Sequence, residues 1–223
     1  MRSKKNKRVL IVGVGGLGTV IARELVLTRQ CSISLIDGDC VSREDAYRQI
    51  LYTNADIGKK KVDAARARLK EMRPTAAIET FDVFLSKENA SSLVSSYDIV
   101  IDAVDNAQAE FLMNDACVEQ GKPFLYGAIH GLRGQVALFN VRRRRFGSRP
   151  TNLRDVFSTP ESYPRFTPRT TGPIAIVTGS MMALEILRFI SGKTLRFVDA
   201  LCEIDLELPQ IRMFRFRPRS IST

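Results

Sequence analysis

The stretch that most constrains this chain is residues 8–39, RVLIVGVGGLGTVIARELVLTRQCSISLIDGD. Residues 9–12 are a short apolar run of the kind a buried strand requires. Gly13, Gly15, Gly16 and Gly18 follow with almost no side-chain bulk, and Leu17, Val20, Ile21, Leu25 and Val26 then recur at helical spacing. A second apolar run, residues 32–36, ends at Asp37, 19 residues after Gly18. Strand, glycine turn, helix, strand and acid in that order predict a βαβ unit. A helix that starts straight after a glycine turn aims unpaired N–H groups and a positive dipole end at one point, which suits a phosphate. A carboxylate closing the second strand is placed to accept hydrogen bonds from ribose hydroxyls. The unit therefore predicts a bound adenine nucleotide. A glycine turn alone is weak evidence, and the flanking elements carry the reading.

The rest of the chain alternates strand and helix. Residues 40–58 have little periodicity and read as a binding loop with a helical turn. Residues 59–73 carry a stripe of Val62, Ala65, Leu69 and Met72, a helix stopped by Pro74. Residues 77–81 read as a strand, 88–94 as a short helix, and 97–104 as a third strong strand running into Asp105 and Asn106. A helix over about 108–120 and strands over 124–129 and 135–140 follow. Residues 141–171 hold four consecutive arginines and four of the nine prolines, and read as a long, mobile crossing loop. Gly172 and Pro173 open a helix to about residue 191 that is apolar on nearly all sides, hence buried or at a subunit interface. Strands over 194–200 and 203–214 close the chain. The fold class is α/β: a Rossmann-like, doubly wound, mainly parallel sheet with antiparallel strands at its C-terminal end, residues 1–223 forming one nucleotide-binding domain.

Composition narrows the function classes. The formal net charge of +10 favours an acidic partner or an anionic substrate without choosing between them. Nucleic acid would account for the charge but not for the motifs. Cys31, Cys40, Cys117 and Cys202 form no CxxC pair and His130 is the one histidine, which argues against a zinc site and a disulfide framework. Free thiols and the lack of an export signal point to the cytoplasm. No run reaches the roughly 18 apolar residues of a membrane span.

The motifs GVGGLG (13–18), LIDGD (35–39), YRQ (47–49), IGKKKV (57–62), DAVDN (102–106), YGAIHGLRGQV (126–136) and FVDA (197–200) carry a resemblance. Together they are similar to the ubiquitin-activating-enzyme-like adenylyltransferases of the ThiF, MoeB and HesA type, over nearly the whole chain. The resemblance implies ATP and Mg2+, and adenylation of the C-terminal glycine of a small ubiquitin-like or sulfur-carrier protein ending in Gly-Gly, by a homodimer. It also implies roles. Gly13, Gly15, Gly16 and Gly18 would let backbone approach the nucleotide. Asp37 would take the ribose, with Asp39 and Asp45 lining the same site. Arg48 would reach the phosphates, with Gln49 beside it. Lys61 would hold phosphate charge, and Asp105, next to Asn106, would hold magnesium. Arg48, Lys61 and Asp105 are the catalytic candidates. The chemistry is compatible, because a carboxylate is already ionised and needs its repulsion from phosphate cancelled rather than a general base.

The chain also departs from that family. Asp45 stands where asparagine is common, and Glu110 where arginine is common. Twelve residues precede Gly13, too few for a helix that lends an arginine to a neighbouring subunit, leaving Arg2 or Arg8 as substitutes. The loop cysteine used by some members for thioester or persulfide chemistry is missing from FTPRTTGP (166–173). At an effective dielectric of about 20, one charge swap about 4–5 Å away shifts a charged transition state by roughly 3–4 kcal/mol before screening. Arg133 and the run Arg142, Arg143, Arg144 and Arg145 are the candidate compensators. Two readings stay open: an adenylating enzyme without its own thioester step, or a weak or inactive nucleotide-binding, carrier-docking relative that works with a partner subunit. A Rossmann oxidoreductase is disfavoured, because no hydride-transfer constellation accompanies the turn.

Overall fold

The structure is a computed structural model describing residues 6–142, 149–160 and 171–216, without the side chains of Tyr47 and Arg48. Its strands are β1 (Lys7–Val12), β2 (Cys31–Ile36), β3 (Ile78–Phe81), β4 (Ile99–Asp102), β5 (Phe124–His130), β6 (Arg133–Phe139), β7 (Ala200–Asp205) and β8 (Gln210–Arg215). The helices are α1 (Gly16–Thr28), α2 (Arg43–Arg48), α3 (Lys61–Met72), α4 (Ala90–Ser95), α5 (Ala107–Glu119) and α6 (Gly172–Ser191). One sheet runs in the order β3-β2-β1-β4-β5-β6-β7-β8. β1 to β5 pair in parallel, and β6, β7 and β8 antiparallel. This is the doubly wound, mainly parallel sheet with an antiparallel C-terminal end that the sequence predicts.

Strand periodicity divides the core. Val9 and Ile11 of β1 join a cluster with Ile21 and Leu25 of α1 and Ile186 of α6. Leu10 and Val12, on the other face, join Phe111 of α5, Phe124, Tyr126 and Phe139. The chain order reverses between β1 and β4, which opens a crevice at the carboxyl ends of these strands. Helices α1 and α6 lie side by side and run in the same direction. A Cβ on Gly16 would meet Ala175, one on Gly179 would meet Val20, and the Ser191 hydroxyl bonds Gln30 at the far end. α6 is long and apolar enough to cross a membrane by composition alone, but Ile174, Thr178, Met182 and Ile186 are buried on α1, β5 and β6. Its outer face leaves Ile176 and Leu184 about half exposed, so it is not buried all round.

Two sequence readings need correction. The break placed near residue 201 falls inside β7, whose Ala200, Leu201 and Cys202 are buried continuously. The true turn lies before Gln210, where the Asp205 carboxylate accepts from the amides of Glu207 and Leu208. Before β7 there is a single bridge, Val198 to Leu138. Part of the loop expected to be mobile is docked. Arg154 grips Asp115 through two hydrogen bonds of 2.8 and 2.6 Å, the Leu153 amide donates to Asn114, and Leu153 is fully buried. The polar composition of residues 149–160 hid these apolar and ionic anchors. Residues 143–148 and 161–170 of that loop lie outside the described residues.

Candidate functional site at the glycine turn

Two of the four glycines are demanded by backbone contact. Gly13 leaves β1 with φ of 91°, and a Cβ there would lie 2.4 Å from the Ala103 carbonyl oxygen. A Cβ on Gly18 would lie 2.0 Å from the Gly13 carbonyl oxygen. Gly15 and Gly16 instead present bare backbone beside Gln49 and Ala175. α1 begins here with no side-chain cap and no acid in its first turn, so its amides and positive end remain open to an anion.

Asp37 ties the turn down. One carboxylate oxygen accepts from the Val14 amide at 2.7 Å, the other from the Asp39 amide at 2.9 Å. Each oxygen keeps a lone pair for a ribose hydroxyl.

Lys61 is the first residue of α3 and is only 9% exposed. Its ammonium lies 3.3 Å from Asp39 and 3.5 Å from Asp45. Burial opposes its charge, but Asp37, Asp45 and Asp39 outweigh the burial and hold it above its ordinary pKa. Lys61 is therefore a buried, charged group and not part of a solvated basic face. Asp45 sits in α2, where its carboxylate accepts from the Ser42 amide in a capping box and from the Gln49 amide group at 2.6 Å. Gln49, buried, keeps its own side-chain carbonyl without a partner. The Arg48 backbone ends α2; its side chain lies outside the described residues.

Asp105 and Asn106 follow β4 at the same edge, held there because Ala103 donates to Val12 and packs on Gly13. Asp105 is exposed and makes no ion pair among the described residues. Asn106 caps α5 by accepting from the Ala109 amide, so its carbonyl is already engaged. Among the described residues no group of three His, Cys, Asp or Glu is set to hold a metal. One open carboxylate still fits Mg2+, which is usually held by one or two carboxylates plus substrate phosphates.

Of the proposed compensators, Arg133 and Arg142 are not free at the turn. Arg133, on the β5–β6 hairpin, pairs with Asp205 at 3.3 Å. Arg142 follows β6 at the opposite edge of the sheet, and residues 143–145 lie outside the described residues. Arg8, second in β1 and so at that opposite edge, stacks on Tyr97 and lies 3.9 Å from Glu79. Arg2 lies outside the described residues. Strand direction thus carries Arg142 away from this site.

Two residues, Tyr52 and Phe84, and the burial of Asp102 against Glu110 were not read from sequence. The buried Tyr52 hydroxyl lies 2.7 Å from the Val14 carbonyl and 3.2 Å from that of Lys61. Burial, then Asp37, Asp45 and Asp56, push this phenol far above its ordinary range, so it stays a donor. Phe84, two-thirds exposed, lays its ring on Gly38 next to Asp37. Asp102 and Glu110 are both buried, and burial followed by the Glu110 charge pushes the Asp102 carboxyl well above the usual carboxylate range. The aromatic content of residues 47–52 and the acid at 110 were the available signals.

A turn, a strand-end acid and a buried lysine stand at the switch point of a doubly wound sheet, the place where open α/β folds hold their ligands. The chain belongs to the ThiF family, whose model matches residues 1–222. It is 35% identical to the sulfur carrier protein adenylyltransferase of Thermus thermophilus over 193 residues, covering 84% of this chain and 70% of that one. It is 34% identical to the adenylyltransferase and sulfurtransferase MOCS3 of Drosophila grimshawi, covering 96% of this chain and 48% of that one. The chain thus spans about half the length of such MOCS3 relatives. Among solved structures, E. coli MccB with ATP superposes with a TM-score of 0.82 at 19% identity, over 98% of this chain and 65% of that one, a likeness of fold.

Proposed function

We propose that this chain adenylates the C-terminal glycine carboxylate of a small sulfur-carrier or ubiquitin-like protein, using ATP and Mg2+, and passes the acyl-adenylate on without a thioester cysteine of its own. A carboxylate oxygen attacks the α-phosphorus, the bond from that phosphorus to the bridging oxygen breaks, and pyrophosphate leaves with the electron pair. Bound magnesium would neutralise phosphate charge, with Asp105 as its protein ligand. The open amides of α1 bind and orient the phosphates. Lys61 balances charge that builds on the leaving group, and Arg48 is assigned the same task. Asp37 fixes the ribose. No side chain has to remove a proton, because the nucleophile is an anion. The observation that carries the reading is that Lys61 and Asp105, from separate elements, both border the glycine turn. The names of the Thermus and MOCS3 relatives support the reaction class. The half-exposed Ile176 and Leu184 of α6 suit a second copy of the chain, which light scattering would measure.

A second reading is a weak or inactive nucleotide-binding partner subunit. Asp45 on Lys61, and Glu110 buried with Asp102, favour it, since both put acid where positive charge serves catalysis. Exchange of labelled pyrophosphate into ATP, with a carrier ending in Gly-Gly, decides. Carrier-dependent exchange supports the enzyme. ATP binding without exchange, restored by a second protein, selects the partner subunit. No ATP binding overturns both.

A further inference from the structure

Two hydrogen bonds of the Asp45 carboxylate could be made equally by asparagine. Its backbone position as the third residue of the capping box needs only an oxygen acceptor for the Ser42 amide. The oxygen facing Gln49 accepts from that amide group at 2.6 Å, while the Gln49 carbonyl is buried and unpartnered. An asparagine would keep its oxygen on Ser42, turn its NH2 to Gln49, and be met by that spare carbonyl after a flip of the Gln49 amide. Shape and these two hydrogen bonds are thus conserved, while the negative charge is removed. That charge is 4% exposed and 3.5 Å from the Lys61 ammonium.

We propose that Asp45 is a built-in counter-ion that occupies Lys61 while the site holds no nucleotide, so that a triphosphate binds by taking Lys61 from a carboxylate, and Asp45 thereby sets a deliberately weak affinity for ATP. The inference rests on the nucleotide-binding reading above. Lys61 has two carboxylate partners of different character. Asp39, at 3.3 Å, is more than half exposed on its side chain and screened by solvent, whereas Asp45 is buried and its field is not. Removing the exposed partner should change little; removing the buried one leaves Asp37 and Asp39 acting on the ammonium but frees part of its charge for phosphate. Asp45 acts through Lys61 and is a positioning residue, not a catalytic one. A buried pair of this kind contributes little to net stability, which fits a role in ligand selection.

Two measurements test it. In the first, Kd is measured for Mg·ATP, AMP and adenosine with wild type and Asp45→Asn. The expected result is ATP binding about tenfold tighter in the variant, AMP a smaller gain and adenosine no change, because the effect scales with phosphate charge. Asp45→Ser, which removes the charge and leaves a hydroxyl acceptor for the Ser42 amide, gives the same ordering and serves if the asparagine variant folds poorly. In the second, Lys61 acetylation by acetic anhydride is followed by mass spectrometry without nucleotide. Asp45→Asn should speed labelling severalfold, since the ammonium loses its buried partner and titrates lower. Unchanged or weaker ATP binding in a variant that folds, an equal change for adenosine, or unchanged Lys61 labelling overturns the proposal and leaves nucleotide binding standing. If no form binds ATP while labelling still responds to Asp45, the ion pair is real but the nucleotide reading, and the proposal with it, fails.

Discussion

The Tyr52 hydroxyl donates to the Val14 carbonyl at 2.7 Å, and by that bond one buried phenol joins the glycine turn to the base of α3. The same oxygen lies 3.2 Å from the Lys61 carbonyl, so the residue that carries the site's buried cation is indexed to the turn through Tyr52. Tyr52→Phe keeps the ring and removes the link. Urea unfolding should register a loss of about 1–2 kcal/mol from the unsatisfied carbonyl. ATP affinity should weaken severalfold; unaltered affinity would show that the turn holds α3 by other means.

Lys61→Met and Asp105→Ala should separate charge balance from metal binding. The lysine variant should raise the KM for ATP at least about tenfold. It also removes the 3.5 Å ion pair to buried Asp45, so its melting temperature should fall. The aspartate variant, exposed and without an ion pair among the described residues, should melt like wild type. Its pyrophosphate exchange should fall by about a hundredfold and recover in part at high Mg2+.

Phe84 is exposed yet fixed against Gly38, an arrangement that gains little for folding and offers a flat apolar wall beside Asp37. Phe84→Ala should change unfolding free energy by less than about 1 kcal/mol. It should weaken adenosine, AMP and ATP by a similar factor of about 5 to 150, since stacking on a base is worth about 1–3 kcal/mol. Equal affinities in wild type and variant would remove Phe84 from the site.

Asp102 gives the fold a pH dependence of defined sign. Its carboxyl is held above its unfolded value by burial first and the Glu110 charge second. Below the unfolded pKa both states are protonated and nothing is lost. Above it the unfolded chain releases the proton and the folded chain keeps it, so stability falls by about 1.4 kcal/mol per pH unit until the folded pKa is passed. Unfolding free energies between pH 4 and 8 should show this slope in wild type and not in Asp102→Asn. Parallel curves would mean that Asp102 ionises in the folded chain as it does in the unfolded one.

Gly13→Ala meets two obstacles at once, a φ of 91° and a carbonyl oxygen 2.4 Å from the new Cβ. A loss of at least about 3 kcal/mol is expected by thermal or urea unfolding. Gly58→Ala, with φ of 87° but no atom within 4 Å, isolates the backbone term and should cost about 1–2 kcal/mol.

Much of this arrangement was readable from residues alone. The glycine turn, Asp37, the parallel strands and the placement of Asp105 past β4 follow from periodicity and chain direction, which are local properties. What was not readable depended on contacts between distant segments. Nothing in the composition of residues 149–160 reveals that Arg154 will find Asp115. Arg142 looked available because a charge run has no direction in sequence, whereas β6 runs away from the turn and carries it to the other edge. Asp45 looked like a bare added charge because its partners, Ser42, Gln49 and Lys61, come from a cap, a helix end and the next helix. The hairpin between β7 and β8 was misplaced because buried Cys202 lies between two segments that each look like strands.

Helices α1 and α6 point the same way, with Gly16 against Ala175 at one end and Gln30 against Ser191 at the other. Antiparallel neighbours would cancel each other's electric field; these two add. Neither first turn contains an acid or a side-chain cap to quench it. With about half an elementary charge at each tip, the mouth of the crevice holds a standing positive bias that exists before a single lysine or arginine is counted. That bias is written in backbone, so no side-chain substitution removes it, and it can coexist with an acid as near to Lys61 as Asp45.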